Sequence, residues 1–407
     1  MKQTLVLFAF ISLCISSCIK EEPPVGHPLP EVVIIDEDIV LDTTWKGNKV
    51  YQITTNINIR NSATLTIEPG CIIKCDRDVL IKIPEYSNGA IHAVGTNQKN
   101  IIFTSSGNRQ DYNEWGGIQI FEYYTESVFE NCIIEHANHT FSYGGTFSPN
   151  IYGGGSLVCL GQYITIKECT FRNGNGVYMC PISKFNSSGI AIGPSSRFTS
   201  FINNNFELNV SVPLVIGANS VSTIGEGNKF NPQSVINVQE NLNEAGSHNW
   251  INPGIPYVLN NYFSIWGVSG NPCTMILEPG TELKCPTGFS VGQNSGSGGL
   301  IANGTPENPI IFRGSYAADQ NSPRDWNGLS IENLNSDGVV LNHCVVTNGG
   351  KYRGNIYIGS SIVTPITISN CEIKNSYKFG IFKEQFATEP ILLNNTFKNN
   401  ASGDKNW

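Results

Sequence analysis

An eleven-residue stretch of this chain has a counterpart further along. Leu65-Thr66-Ile67-Glu68-Pro69-Gly70-Cys71-Ile72-Ile73-Lys74-Cys75 returns as Met275-Ile276-Leu277-Glu278-Pro279-Gly280-Thr281-Glu282-Leu283-Lys284-Cys285, at an offset of 210 residues. The shared frame is apolar-Glu-Pro-Gly-x-x-apolar-Lys-Cys. Landmarks on both sides repeat in the same order. Trp45 and Tyr51 precede the first copy as Trp250 and Tyr257 precede the second. Gly95-Thr96 with Ile101-Ile102-Phe103 returns as Gly304-Thr305 with Ile310-Ile311-Phe312. Trp115-Gly116-Gly117-Ile118 returns as Trp326-Asn327-Gly328-Leu329, and Asn131-Cys132-Ile133-Ile134 as His343-Cys344-Val345-Val346. Ordered landmarks with slowly drifting offsets mark the duplication of a whole structural module.

The local pattern within each copy is strand. Thr64-Leu65-Thr66-Ile67, Ile118-Gln119-Ile120, Ile164-Thr165-Ile166, Leu329-Ser330-Ile331 and Ile366-Thr367-Ile368 alternate polar and apolar residues. Period two sends alternate side chains to opposite faces. The Gly-, Asn- and Ser-rich spacers are too short for crossover helices, which excludes a doubly wound sheet. A finer repeat runs through Asn131-Cys132-Ile133-Ile134, Glu168-Cys169-Thr170-Phe171, Asn204-Asn205-Phe206, Asn228-Lys229-Phe230, Asn370-Cys371-Glu372-Ile373 and Asn395-Thr396-Phe397. Asn and Gly accept the left-handed backbone that a sharp corner needs.

These residues resemble the right-handed parallel β-helix proteins of the pectin-lyase-like superfamily. The resemblance is carried by Leu65 to Gly70, Gly304 to Phe312 and Trp115 to Ile118; in the first copy Asn100 replaces the proline that precedes the Ile-x-Phe strand. It covers about Trp45 to Asn400 and implies an all-β, right-handed parallel β-helix solenoid with internal duplication, about 45–249 and 250–400. One coil cannot bury its inner face alone, so stacking supplies the core. The expected organisation is a leader (1–17), a Pro-rich tether (18–32), a first module with its cap (33–249), a second module (250–400) and a polar tail (401–407).

The start of the chain carries an address. Met1-Lys2-Gln3 is followed by an apolar run, Thr4 to Cys14, too short to remain as a membrane helix. Ile15-Ser16-Ser17-Cys18 resembles the lipobox of bacterial lipoproteins, which implies cleavage before Cys18 and its lipidation. The Lys20-Glu21-Glu22 that follows resembles the export signal of Bacteroidetes-type surface lipoproteins. The expected location is the outer membrane, at the cell surface, with the lipid anchor as membrane partner. Net charge is −8, or −9 once Lys2 is removed with the leader. With no basic cluster, nucleic acid is excluded as a partner.

The chemistry-bearing residues are sparse. The Asn-Thr-Asp, Asp-Asp, Gly-His-Gly and Arg-x-Pro-x-x-Arg motifs of the superfamily's enzymes do not occur. Asp111 and Glu114 are the candidate acid and base, since inverting hydrolysis needs two carboxylates across a sugar. The second copy has Arg324 and Asp325 at that place, which reads as a polar corner. His136 and His139 flank an insert, Glu135 to Ser156, and are expected to be exposed. That insert carries the candidate ligand-binding residues His139, Phe141, Tyr143, Phe147 and Tyr152, because aromatic rings on a rigid scaffold stack on sugars and fill interfaces. Trp115 and Trp326, shared by both copies, read as packing residues. Cys132, Cys169, Cys344 and Cys371 share a repeat position and read either as stacked buried thiols or as disulfides. No metal or other cofactor is expected, and no residue cluster supports calcium. The expected function is noncatalytic binding of a polysaccharide or a surface protein. The alternatives are a polysaccharide lyase or glycoside hydrolase acting on acidic polysaccharide, and a structural spacer.

Overall fold

A computed structural model describes residues 30–107, 115–121, 124–137, 139–143, 151–160, 163–174, 177–179, 196–207, 212–267, 271–285, 287–292, 297–314, 326–359 and 366–407. Short strands follow one another, and all but the antiparallel pair His139–Tyr143 and Ile151–Gly155 pair in parallel with a strand one coil away rather than with their neighbour in sequence. One sheet of thirteen strands runs from Ile57–Asn58 to Thr396–Lys398 and forms a spine. In the first half two more sheets close the coil: seven strands from Val32–Ile35 to Asn205–Phe206, and six from Thr43–Trp45 to Arg197–Ile202. In the second half the closing sheets have six strands each, one from Gly246–Trp250 to Ile391–Leu393 and one from Tyr262–Ile265 to Gly403–Lys405. The chain is a parallel β-helix.

The spine is unbroken across the boundary between the copies. Ile236 pairs with Tyr257, and Tyr257 pairs with Leu283. The inward column of the spine includes Ile81, Ile118, Leu214, Ile236, Tyr257, Leu283, Phe312, Val346 and Ile373, all buried. Each such side chain contributes about 1.5–3 kcal/mol by leaving water, and the stacked coils share one continuous core. The alternation read from sequence holds: Leu65 and Ile67 point inward, Thr64 and Thr66 outward.

The copies are not superposed along the axis. The strand after the first Glu-Pro-Gly turn, Ile72–Cys75, lies in the seven-stranded sheet. Its counterpart, Glu282–Cys285, lies in the spine. Leu80–Ile83 lies in the spine, and its counterpart Gly288–Val291 lies in the sheet that starts at Tyr262. The second copy is therefore turned by one face around the shaft. The shift is made between residues 205 and 262. The seven-stranded sheet ends at Asn205–Phe206, prolonged only by a bridge from Asn205 to Lys229. A 3-10 helix, Ala218–Thr223, packs between the last strand of the Thr43 sheet and Gly246–Trp250. Asn219 fastens it to the next coil, donating to Asn243 at 2.9 Å and accepting from the Asn243 backbone at 3.0 Å. The new sheet then begins at Tyr262–Ile265, on the side where the chain leaves the spine.

The finer repeat is a corner device. Asn131, Glu168, Asn203, His343, Asn370 and Asn394 all adopt positive φ, between 49° and 55°. The next residue points inward and bonds a corner carbonyl. Where it is asparagine, its amide donates: Asn204 to Ile166 O at 3.0 Å, Asn395 to Ile368 O at 2.7 Å. Where it is cysteine, the thiol donates: Cys169 to Lys167 O at 3.2 Å, Cys371 to Ser369 O at 3.1 Å. Thiol and amide occupy one column, since Cys169 N donates to Asn204 Oδ1 and Cys371 N to Asn395 Oδ1. The nine described cysteines are buried, and Cys71, Cys75, Cys132, Cys169, Cys285, Cys344 and Cys371 are free thiols. Burial pushes the Cys71 thiol up to about 11 and Cys132 well above its ordinary value. A thiol held protonated does not attack. Cys71, Cys75, Cys132, Cys285 and Cys344, all pushed up by burial, should therefore resist an aromatic disulfide reagent in the native protein and react on unfolding in guanidinium, which a thiol titration follows.

Candidate functional site

The sheet that starts at Tyr262 carries a groove of about 420 Å³. It is made by side-chain size. Outward positions on neighbouring strands stack in register, Ser264 on Ser290 on Ser330 on Tyr357. A second column sets Tyr262 beside Gly288. The two middle rungs thus present Gly288, Ser290, Gly328 and Ser330, and large side chains stand above and below them. Tyr262 is 70% exposed and Tyr352 is 66% exposed.

The two glycines of the floor have different causes. Gly328 has φ +99°, and a Cβ there would lie 2.3 Å from Gly354 O on the next rung. That backbone needs glycine. Gly288 has no positive φ, and a Cβ would meet nothing closer than 3.8 Å. Its small size serves the space above it, not the chain.

One wall is rigid. The Arg353 guanidinium stacks on the Tyr357 ring at 4.2 Å and reaches Glu384 at 3.0 Å. Tyr357 Oη donates to the same carboxylate at 3.1 Å. Burial pushes the Tyr357 hydroxyl above its ordinary value, so it stays a donor. Across the floor, Glu332 accepts from Ser330 Oγ at 2.9 Å. Glu332 makes no ion pair among the described residues and is the one carboxylate lining the groove. No group of three His, Cys, Asp or Glu side chains that could hold a metal occurs among the described residues.

The sequence-derived candidates lie elsewhere. Cys18, Asp111, Glu114 and Phe147 fall outside the described residues, as do the side chains of His139, Phe141, Tyr143 and Tyr152. The backbone of the insert forms a two-stranded antiparallel ribbon, His139–Tyr143 against Ile151–Gly155, with Phe141 opposite Gly153 and Ser142 opposite Tyr152. His136 corrects the expectation of exposure: it is 3% exposed. Its backbone is a corner with φ 59°, held between Trp115 and Arg172 by main-chain bonds. Trp115 and Trp326 are buried, and their indole N–H groups bond the equivalent carbonyls of Glu135 and Thr347.

The groove was missed because its members are scattered along the chain. A signal existed in the duplication. Leu80, Lys82 and Gln119 of the first copy have Gly288, Ser290 and Ser330 as counterparts, and Asn56 has Tyr262. Where the first copy has large outward residues the second has small ones at the floor, and it has an aromatic ring at the rim.

Residues 37–153 match the family described as a pectate-lyase like beta helix domain. The match lies within the first module and its cap, 33–249, and agrees with the parallel sheets. No curated protein and no solved structure matches the chain.

Proposed function

We propose that this is a lipid-anchored surface protein that holds an extended glycan, without cleaving it, in the groove between Tyr262 and Tyr352. The observation that supports this reading is the recessed floor of glycine and serine flanked by exposed tyrosine rings. Sugar rings offer apolar faces to aromatic rings and hydroxyls to Ser, Asn and Glu side chains. Among the described residues one carboxylate lines the groove, whereas glycoside hydrolysis uses a pair. The anchor rests on Ile15-Ser16-Ser17-Cys18 and the tether on the prolines that follow. The antiparallel ribbon of His139–Tyr143 and Ile151–Gly155 is a second contact surface in this reading.

Gly288→Leu tests the groove. A Cβ at Gly288 meets only the side chains of Asn327 and Tyr262, at 3.8 Å, so the added leucine is directed into the groove. On a glycan array, the full chain in detergent should retain ligands that the variant loses, while both melt at the same temperature. Equal binding by the two proteins would remove the groove from the account. For the anchor, Cys18→Ala should move the protein from the membrane fraction to the soluble fraction and abolish fatty-acid labelling. Incorporation of label by the variant would contradict acylation at that residue.

A further inference from the structure

We infer that the groove selects a glycan bearing protonated amino groups over one bearing carboxylates. This rests on the groove being the glycan site and specifies what it takes. Among the described residues, two charged side chains line the groove, Glu332 and Arg353. They are not equivalent. Arg353 is already matched: its Nη1 lies 3.0 Å from Glu384, and its guanidinium plane is covered by the Tyr357 ring at 4.2 Å. A ligand carboxylate would have to displace Glu384 to reach it. Glu332 has no cation partner among the described residues and accepts one hydrogen bond, from Ser330. An ionised carboxylate can accept more than one bond, so capacity remains on the groove side.

The surroundings point the same way. Lys351 lies 5.4 Å from the centre of the Tyr352 ring but does not line the groove. Tyrosine faces attract cations as well as sugar rings, so Tyr262 and Tyr352 favour an ammonium over an anion. The chain as a whole carries −8 and repels a polyanion before contact. A positively charged sugar nitrogen placed against Glu332 would gain a charge-assisted hydrogen bond. Such a bond corresponds to roughly tenfold or more in affinity.

The test is calorimetric titration of the full chain in detergent with three hexamers: β-1,4-linked glucosamine, its fully N-acetylated form, and galacturonate. The pH is kept below the pKa of the sugar amine. The glucosamine hexamer should bind about tenfold or more tightly than the acetylated one, and the galacturonate hexamer most weakly. Glu332→Gln should erase the difference between the first two. Gly288→Leu should abolish all three. Equal affinity of the amine and acetylated forms for the natural chain, or tighter binding of galacturonate, overturns the inference while the groove stands. A uniform loss of both sugars in Glu332→Gln also overturns it, because the carboxylate would then be positioning Ser330 rather than reading charge. Binding that survives Gly288→Leu overturns the groove itself.

Discussion

Gly328→Ala is expected to lower the stability of the second half of the shaft by roughly 3 kcal/mol or more and to abolish glycan binding. Gly328 sits at φ +99°, where an L side chain is strained. Its Cβ would also lie 2.3 Å from Gly354 O and 2.6 Å from Asn355 O. Both atoms are backbone of the next coil, so no rotamer change relieves the contact. The strand Leu329–Ile331 would have to separate from Gly354–Ile358, which breaks the ladder that forms the groove floor. Gly288→Leu, one rung away, is the control. It should change stability by less than about 0.5 kcal/mol and still remove binding. Urea unfolding of the two variants separates strain from occupancy. Equal stability would mean that Gly328 does not approach the next coil as described.

Arg172→Met is expected to cost about 3–5 kcal/mol at neutral pH. The Glu135 side chain is 4% exposed and receives Arg172 Nε at 2.6 Å and Thr104 Oγ1 at 2.9 Å. Burial by itself would push the Glu135 carboxyl up. The bonds from Arg172 and Thr104 outweigh it and hold the carboxyl below its ordinary value. A folded-state pKa below the unfolded one stabilises above the ordinary glutamate range and loses that contribution as pH falls through the folded value. Without the arginine, burial dominates and the carboxyl takes up a proton more readily. The gap between natural and variant chains should therefore be full at neutral pH and shrink in acid. Denaturant midpoints measured across pH report it. A gap independent of pH would mean that lost packing, not the unpaired carboxylate, is responsible.

Much of the fold could be read from residues because a coil repeats its chemistry. Thr64 to Ile67 and Leu329 to Ile331 declare their inner faces by alternation, and the structure agrees. The corner positions were visible as Asn131, Asn370 and their relatives, since few residues accept positive φ. Whether the cysteines were thiols or disulfides was open, because position alone does not show what Sγ bonds. The carbonyls of residues such as Lys167 and Ser369 provide the partner. The turn of the second copy was not legible. It is made between residues 205 and 262, where Asn219 and the 3-10 helix have no counterpart landmark in the other copy. The groove followed the same fate. Tyr262, Ser290, Ser330 and Tyr357 become neighbours only once the register of four strands is known.

The one-face turn is what opens the groove. Without it, Gly288–Val291 would continue the spine and meet the strands before it, as Leu80–Ile83 does in the first copy. With it, the same segment opens a new sheet whose upper edge is Tyr262–Ile265. The groove is thus a product of the duplication: a repeated module placed on a fresh face, with its large outward residues replaced.

That geometry has a direct test. Lys82 and Lys284 stand outward on the spine, linked through Gln119, Val158, Tyr178, Val215, Asn237 and Val258 by seven rung steps. At the spacing of paired strands this places them about 34 Å apart. Spin labels at Lys82 and Lys284, read by pulsed electron resonance, should give one narrow distribution near that distance. A broad distribution, or a distance far from it, would contradict a single continuous shaft whose second copy is turned by one face.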